Sequence, residues 1–244
     1  MSSSTPTVRP GRWSTTSSTW HALGNTYVVV EPEEPLDAAA AAELARGTDG
    51  VLEVLDRSAT SVEIAIWNPD GSQAELSGNG TRIAAAWLAA QTGESEVTVE
   101  VAGRIVKTRL GGSGDIEQDL GDVEIGVAET IDGVTFVPVS VGNPHAVVIG
   151  DPEDVETVGP LLETHPRFPG RTNVQVARID GPGEVTARVW ERGVGETLSS
   201  GTSAVAVAAA THGEGDVVVH FPGGDLRVRL HDGRATLYGR AERV

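Results

Sequence analysis

The sequence predicts an α+β protein made of two pseudo-symmetric domains from an internal duplication, and three observations carry that expectation. Short Val-rich segments bounded by Gly, Pro and Asn recur along the whole chain, as in a protein of many strands. Each half holds one longer Ala-rich helical run, starting near Thr81 and near Gly201. Landmarks also repeat in order. Trp67 precedes Ser77 by ten residues and Trp190 precedes Ser200 by ten, each serine followed by Gly, a polar residue and the helix; Leu23-Gly24-Asn25 is echoed by Val141-Gly142-Asn143.

Taken in order, residues 1–19 are Ser/Thr-rich without an apolar segment and read as a disordered extension, not a secretory signal. Trp20 to Glu31 reads as one strand broken at Gly24-Asn25. Asp37 caps a short Ala-rich helix that Gly47 closes. Val51 to Leu55 and Val62 to Trp67 are strands, and Asn68-Pro69-Asp70-Gly71 is a turn. The helix from Thr81 stops near Gly93. Val97 to Val101 and Arg104 to Leu110 form a hairpin about Ala102-Gly103, and Ile116 to Leu120 is a further strand. The second half repeats the scheme: Phe136 to Val141 continuing through Ala146 to Ile149, a weak helix from Asp154 to Glu163, strands from Thr172 and Val185, and the helix after Ser200. Strands at Val217 to Phe221, Asp225 to Leu230 and Ala235 to Tyr238 close the chain. The expected domains are 20–132 and 133–235, with 236–244 returning to the first.

Composition narrows the function. A net charge of −17, with Lys107 the single lysine, argues against a nucleic-acid or anionic-membrane partner. No apolar run approaches the roughly 20 residues of a membrane span, so a cytoplasmic protein is expected. The absence of cysteine excludes disulfides, thiolate metal sites and a thiol nucleophile. No metal site is expected.

The two serine turns are the candidate site. Unpaired backbone N–H groups and the positive dipole end make a helix start a natural anion site, and two like domains would bring two of them to one cleft. Taken alone, His145 reads as a packed histidine, Arg192 as a surface charge, Glu191 as a strand-end carboxylate and Asn68 as a turn former. Their adjacency to the serine turns moves each toward function.

Six segments together resemble the diaminopimelate epimerase family: Leu23-Gly24-Asn25, Asn68 to Glu75, Gly78-Asn79-Gly80-Thr81-Arg82, Gly142-Asn143-Pro144-His145, Arg171-Thr172-Asn173 and Trp190 to Leu198. They run in the family's order over nearly the whole chain after Thr19. The resemblance implies two domains, each a curled, mainly antiparallel sheet around a central helix. It further implies conversion of LL-diaminopimelate to the meso form in lysine and cell-wall synthesis, without a cofactor, by a homodimer. In the family two cysteines face each other across the cleft and exchange protons with the α-carbon; the matching positions here are Ser77 and Ser200. Asn25, Asn68, Asn143, Asn173 and Arg192 match residues that hold the distal amino-acid end and the carboxylates. Gly78, Asn79, Gly201 and Thr202 match the backbone donors around the reacting carboxylate, and His145 and Glu191 the polar pair beside the thiols. Thr26 stands where the family usually has Asp.

Inverting a stereocentre requires a base on one face of the α-carbon and an acid on the other. A thiol, with a pKa of about 8.5, supplies a usable base near neutral pH. A serine hydroxyl requires a neighbour to take its proton, and His145 and Glu191 are the candidates. Two other readings remain: an amino-acid binder without turnover, and a related amino-acid racemase or dehydratase.

Overall fold

The structure, a computed structural model, describes residues 17–112 and 114–244. Of the expected N-terminal extension, 1–16 lies outside the described residues, and Ser18 and Thr19 already belong to the first strand.

The first half runs β1 (Ser18–Ala22), β2 (Asn25–Val30), α1 (Ala38–Leu44), β3 (Gly50–Arg57), β4 (Ser61–Trp67), β5 (Gln73–Ala74), α2 (Gly78–Thr92), β6 (Glu96–Val101), β7 (Arg104–Leu110) and β8 (Asp115–Asp122). Two short strands follow, β9 (Glu124–Ile125) and β10 (Glu129–Ile131). The second half repeats the order: β11 (Val134–Ser140), β12 (Pro144–Ile149), α3 (Val155–Glu163), β13 (Asn173–Gly181), β14 (Glu184–Glu191), β15 (Gly195–Thr197), α4 (Gly201–Thr211), β16 (Gly215–Phe221), β17 (Gly224–His231) and β18 (Arg234–Arg240). The chain ends with β19 (Glu242–Arg243).

Pairing repeats as well as order. In the first half β1/β2 are antiparallel, β2/β3 parallel, β3/β4 antiparallel, β4/β6 parallel, and β6/β7 and β7/β8 antiparallel. In the second half β11/β12, β12/β13, β13/β14, β14/β16 and β16/β17/β18 reproduce the series. This is the α+β two-domain fold that the repeated landmarks predict.

One expectation is corrected in both halves. The segments about Gly24-Asn25 and Gly142-Asn143 are not single broken strands but hairpins, with Trp20 facing Tyr27 and Val139 facing His145. In the first, Leu23 (φ 49°) and Gly24 (φ 86°) are both left-handed, the backbone of a tight two-residue hairpin turn. An apolar run on both sides of a turn has the same periodicity whether the chain continues or reverses.

Each sheet wraps a helix. After Arg82 in α2 and Ser203 in α4 come stretches that are apolar on every side, and such stretches are buried: Ile83 to Ala89 pack within the first sheet and Ala204 to Ala209 within the second. α1 and α3 cover the outer faces through smaller clusters, Leu36 and Ala41 against Trp67, Val155 and Leu162 against Val174.

The halves join at β8 and β18, which pair antiparallel with Gln118 opposite Leu237, positions equivalent in the two repeats. Beyond this seam each half passes a strand to the other: β9 pairs with β11, and β19 with β1.

Candidate active site

Ser77 and Ser200 are the N-cap residues of α2 and α4. Both helices begin with glycine because their ends meet. A Cβ on Gly78 would lie 2.8 Å from Gly201 Cα, and one on Gly201 would lie 2.9 Å from Gly78 Cα. Side chains there would force the helices apart. The paired N-termini open into a cleft of about 680 Å³ lined from both halves. Every candidate catalytic or substrate-binding residue lines this cleft except His145.

The serines differ in environment. Ser77 Oγ accepts from Gly80 N at 3.0 Å, an ordinary N-cap bond, and faces Tyr27 Oη at 3.4 Å. Ser200 makes no cap bond; its hydroxyl lies close enough to the Glu191 carboxylate to act on it, and that carboxylate accepts from Thr197 Oγ1 at 2.5 Å. Burial pushes the Glu191 carboxyl above its ordinary value, against these two hydroxyls, which pull it down. Burial likewise raises Tyr27 to about 12.

His145 sits one layer behind the cleft, so the expectation that it activates a serine is corrected. It is buried, with Nδ1 3.0 Å from Gln175 Nε2 and Nε2 2.9 Å from Asn143 Oδ1. Gln175 Nε2 can only donate, so Nδ1 accepts and Nε2–H donates to Asn143. Burial first, and the Arg192 charge after it, lower its pKa to about 3. A neutral imidazole with both nitrogens engaged cannot take a serine proton. It aims Asn143, whose Nδ2 lies 3.4 Å from Thr202 Oγ1.

Several of the asparagines hold protein before ligand. Asn173 accepts from Arg192 N at 3.0 Å and donates to Pro144 O at 3.0 Å, tying three segments of the cleft wall together. Asn68 donates to Ser72 Oγ at 2.9 Å within its own turn. Asn79 Nδ2 donates to Asn25 Oδ1 and, at 3.2 Å, to Ser199 Oγ, joining the halves. Arg192 crosses the cleft to Glu75, Nη2 to Oε2 3.4 Å. Both ends of that pair are solvent-accessible, which makes it weak and exchangeable.

Tyr27 is a cleft residue that the motifs did not mark. The signal was present: Leu23-Gly24-Asn25-Thr26-Tyr27 against Val141-Gly142-Asn143-Pro144-His145 puts Tyr27 in the place of His145. Among the described residues no cluster of His, Asp and Glu could hold a metal ion, and no helix is long and apolar enough to cross a membrane.

The architecture is one that solved epimerases share. A predicted epimerase from Pseudomonas aeruginosa superposes with a TM-score of 0.69 at 20% identity, covering 93% of this chain and 96% of that one. A hydroxyproline epimerase from Agrobacterium vitis, solved with bound trans-4-hydroxy-L-proline, gives 0.68 at 17%, covering 96% and 91%. At these identities the likeness is one of fold. Sequence goes further: the family described as diaminopimelate epimerase matches residues 18–126 and 137–244. Diaminopimelate epimerases from Desulfitobacterium hafniense and Rhodospirillum centenum are 35% and 37% identical, covering 92% and 90% of this chain and 94% and 87% of theirs. The chain belongs to the diaminopimelate epimerase family and, through it, to the amino-acid epimerases, a class of isomerases.

Proposed function

We propose that this chain converts LL-diaminopimelate to the meso form by two-base proton transfer at the α-carbon, without a cofactor, Ser77 working on one face and Ser200 on the other. The observation that carries this reading is the meeting of two serine-headed helix N-termini in one cleft. Their free N–H groups converge where a carboxylate would bind, and charge grows on that carboxylate as the α-proton leaves.

The Glu191 carboxylate takes the Ser200 hydroxyl proton while Ser200 Oγ takes the α-proton. The electron pair of the broken C–H bond stays on the substrate, delocalised into its carboxylate. Ser77 then gives its hydroxyl proton to the opposite face, closing a new C–H bond, and regains a proton from Tyr27. Glu191 and Tyr27 reset by exchange with water in the open cleft. Raising the Glu191 pKa brings its proton affinity nearer to that of a serine, which reduces the mismatch that makes serine a poor base. Asn68 and Arg192, away from the helix ends, suit the distal amino-acid group. This predicts tighter binding of diaminopimelate than of proline by calorimetry. A homodimer and a cytoplasmic location belong to the same proposal, readable by light scattering and cell fractionation.

The test is deuterium uptake at the α-carbon of LL-diaminopimelate in D2O. Wild type should incorporate deuterium while forming the meso isomer, and Ser77→Ala with Ser200→Ala should not. Equal rates for the two proteins would overturn the catalytic reading and leave a binder. Ser77→Cys with Ser200→Cys should exceed wild type, because a thiol titrates nearer the working pH.

A further inference from the structure

Among the described residues Arg82 is the largest fully buried side chain, and no carboxylate lies within ion-pair distance of it. It projects from the second turn of α2. Nη1 donates to Gln118 Oε1 at 3.1 Å, Nη2 donates to Asn79 Oδ1, and Nε has no partner. Gln118 in turn donates to Gly78 O at 3.2 Å and Thr81 Oγ1 at 2.8 Å. The guanidinium lies against the first turn of the opposing helix, since a Cβ on Gly201 would come 3.4 Å from Nη1. One on Gly239, in β18, would come 3.1 Å from Nε.

The equivalent side of the seam is apolar. Val205 stands where Arg82 does and Leu237 where Gln118 does, both fully buried. The fold therefore does not require a cation here. A buried charge without a counter-ion is unfavourable, because nothing offsets the cost of taking it out of water. Burial lowers the Arg82 pKa to about 9, the direction expected for a cation removed from water. Arg82 itself does not line the cleft, but Asn79 and Gly201, which it touches, both do.

We infer that Arg82 is a positioning residue whose missing counter-ion is the ligand's α-carboxylate, held at the paired helix ends directly in front of it. It acts through space as the fixed positive charge behind the backbone donors. It also acts through Asn79, whose amide it orients toward Asn25 and Ser199. This inference rests on reading the paired helix ends as a carboxylate site, not on turnover by the serines.

The experiment compares wild type with Arg82→Met, Arg82→Lys and Arg82→Gln, using diaminopimelate and plain acetate as separate probes. Without ligand, Arg82→Met should melt at or above the wild-type temperature. With diaminopimelate its dissociation constant should rise roughly 30-fold or more, as when one partner of a buried charge contact is removed, and kcat should fall beyond the change in KM. Lys should recover most of the affinity. Gln, which keeps a donor to Asn79 without the charge, should not. Acetate should raise the wild-type melting temperature more than that of Met or Gln. If acetate stabilised all four equally, or if Met lowered ligand-free stability while Met and Gln kept wild-type affinity, the inference would fall and Arg82 would be structural. Arg82-dependent stabilisation by acetate without diaminopimelate binding would instead overturn the proposed substrate and leave the carboxylate site standing.

Discussion

Ser77 and Ser200 hold the same place in the two repeats, yet Ser77 Oγ is engaged by the Gly80 amide, whereas Ser200 leaves its helix uncapped and turns to Glu191. The rest of each wall diverges in the same way. Asn68 stands where Glu191 does, each directly after a strand-end tryptophan, and Tyr27 where His145 does. Backbone and glycines are kept, since two helix ends can meet only if both are bare. The polar side chains are free to differ, and a substrate stereocentre presents two different faces. The repeat thus keeps a symmetric seat of two helix ends, while its two sides carry chemically distinct side chains.

The largest expected effect tests whether the Glu191 side carries the proton traffic. Glu191→Gln should lower the exchange rate by about 10²- to 10⁴-fold, the usual range for a general base, whereas Asn68→Gln at the equivalent place should change the distal affinity more than the rate. Wild-type activity should rise with pH through an acid limb lying above the ordinary carboxylate range, because burial raises Glu191. That limb should vanish from the residual activity of the Gln variant. A retained limb would assign it elsewhere.

The glycines should behave alike where the side chains do not. Gly78→Ala and Gly201→Ala each place a methyl inside 3 Å of the opposing backbone, and each should cost about 1–3 kcal/mol in urea unfolding, typical of overpacking. A marked inequality would show that the seam yields more easily on one side.

Tyr27→Phe removes the hydroxyl facing Ser77 and should slow exchange by about tenfold with little change in unfolding. His145→Gln should show no new ionisation in the pH profile, since a histidine held near pH 3 is neutral throughout the working range. A lost limb near pH 6 would contradict its position behind the cleft.

The smallest effect compares the outer sheets. His220 on β16 bonds Asp225 Oδ1 at 2.8 Å and Glu184 Oε2 at 2.6 Å, while the equivalent ladder position in the first half is Glu100. The Asp225 bond, then Glu184, raise the His220 pKa above its unfolded value. Its contribution should therefore be complete below the ordinary histidine pKa and disappear as pH rises through the raised one. With the side chain well exposed, solvent screening keeps this under about 1 kcal/mol. Unfolding of wild type and His220→Gln at pH 5.5 and 9 should converge at the higher pH.

Much of this was legible in the chain before the structure. Ser77, Ser200, Gly78 and Gly201 are marked by local signals, a capping residue and glycine ahead of an alanine-rich run, and these fixed both helices and the duplication. The hairpins at Leu23-Gly24 and Gly142-Asn143 were not, because reversal depends on left-handed dihedrals at Leu23, Gly24 and Gly142, which a glycine permits without demanding and a leucine does not announce. His145 was misassigned because the group that fixes its tautomer, Gln175, lies on a different strand. Arg82 stood inside a recognised motif without a role. Nothing in sequence reveals that a charge within a helix lacks a counter-ion until the facing strands are in place.

The crossing of β9 and β19 bears on how such a chain can arise and be divided. A half-chain cut near residue 130 would fold its sheet around its own helix but leave its last strand with no local mate, and its first strand with an open edge. Two copies could satisfy both by trading tails, so a single-repeat ancestor with this connectivity closes as an intertwined pair whose axis passes between the residues now seen as Gln118 and Leu237. In a single chain that holds both repeats, the same rotational symmetry is covalent. Each copy of the seat could then mutate alone, which an obligate pair of identical chains does not allow.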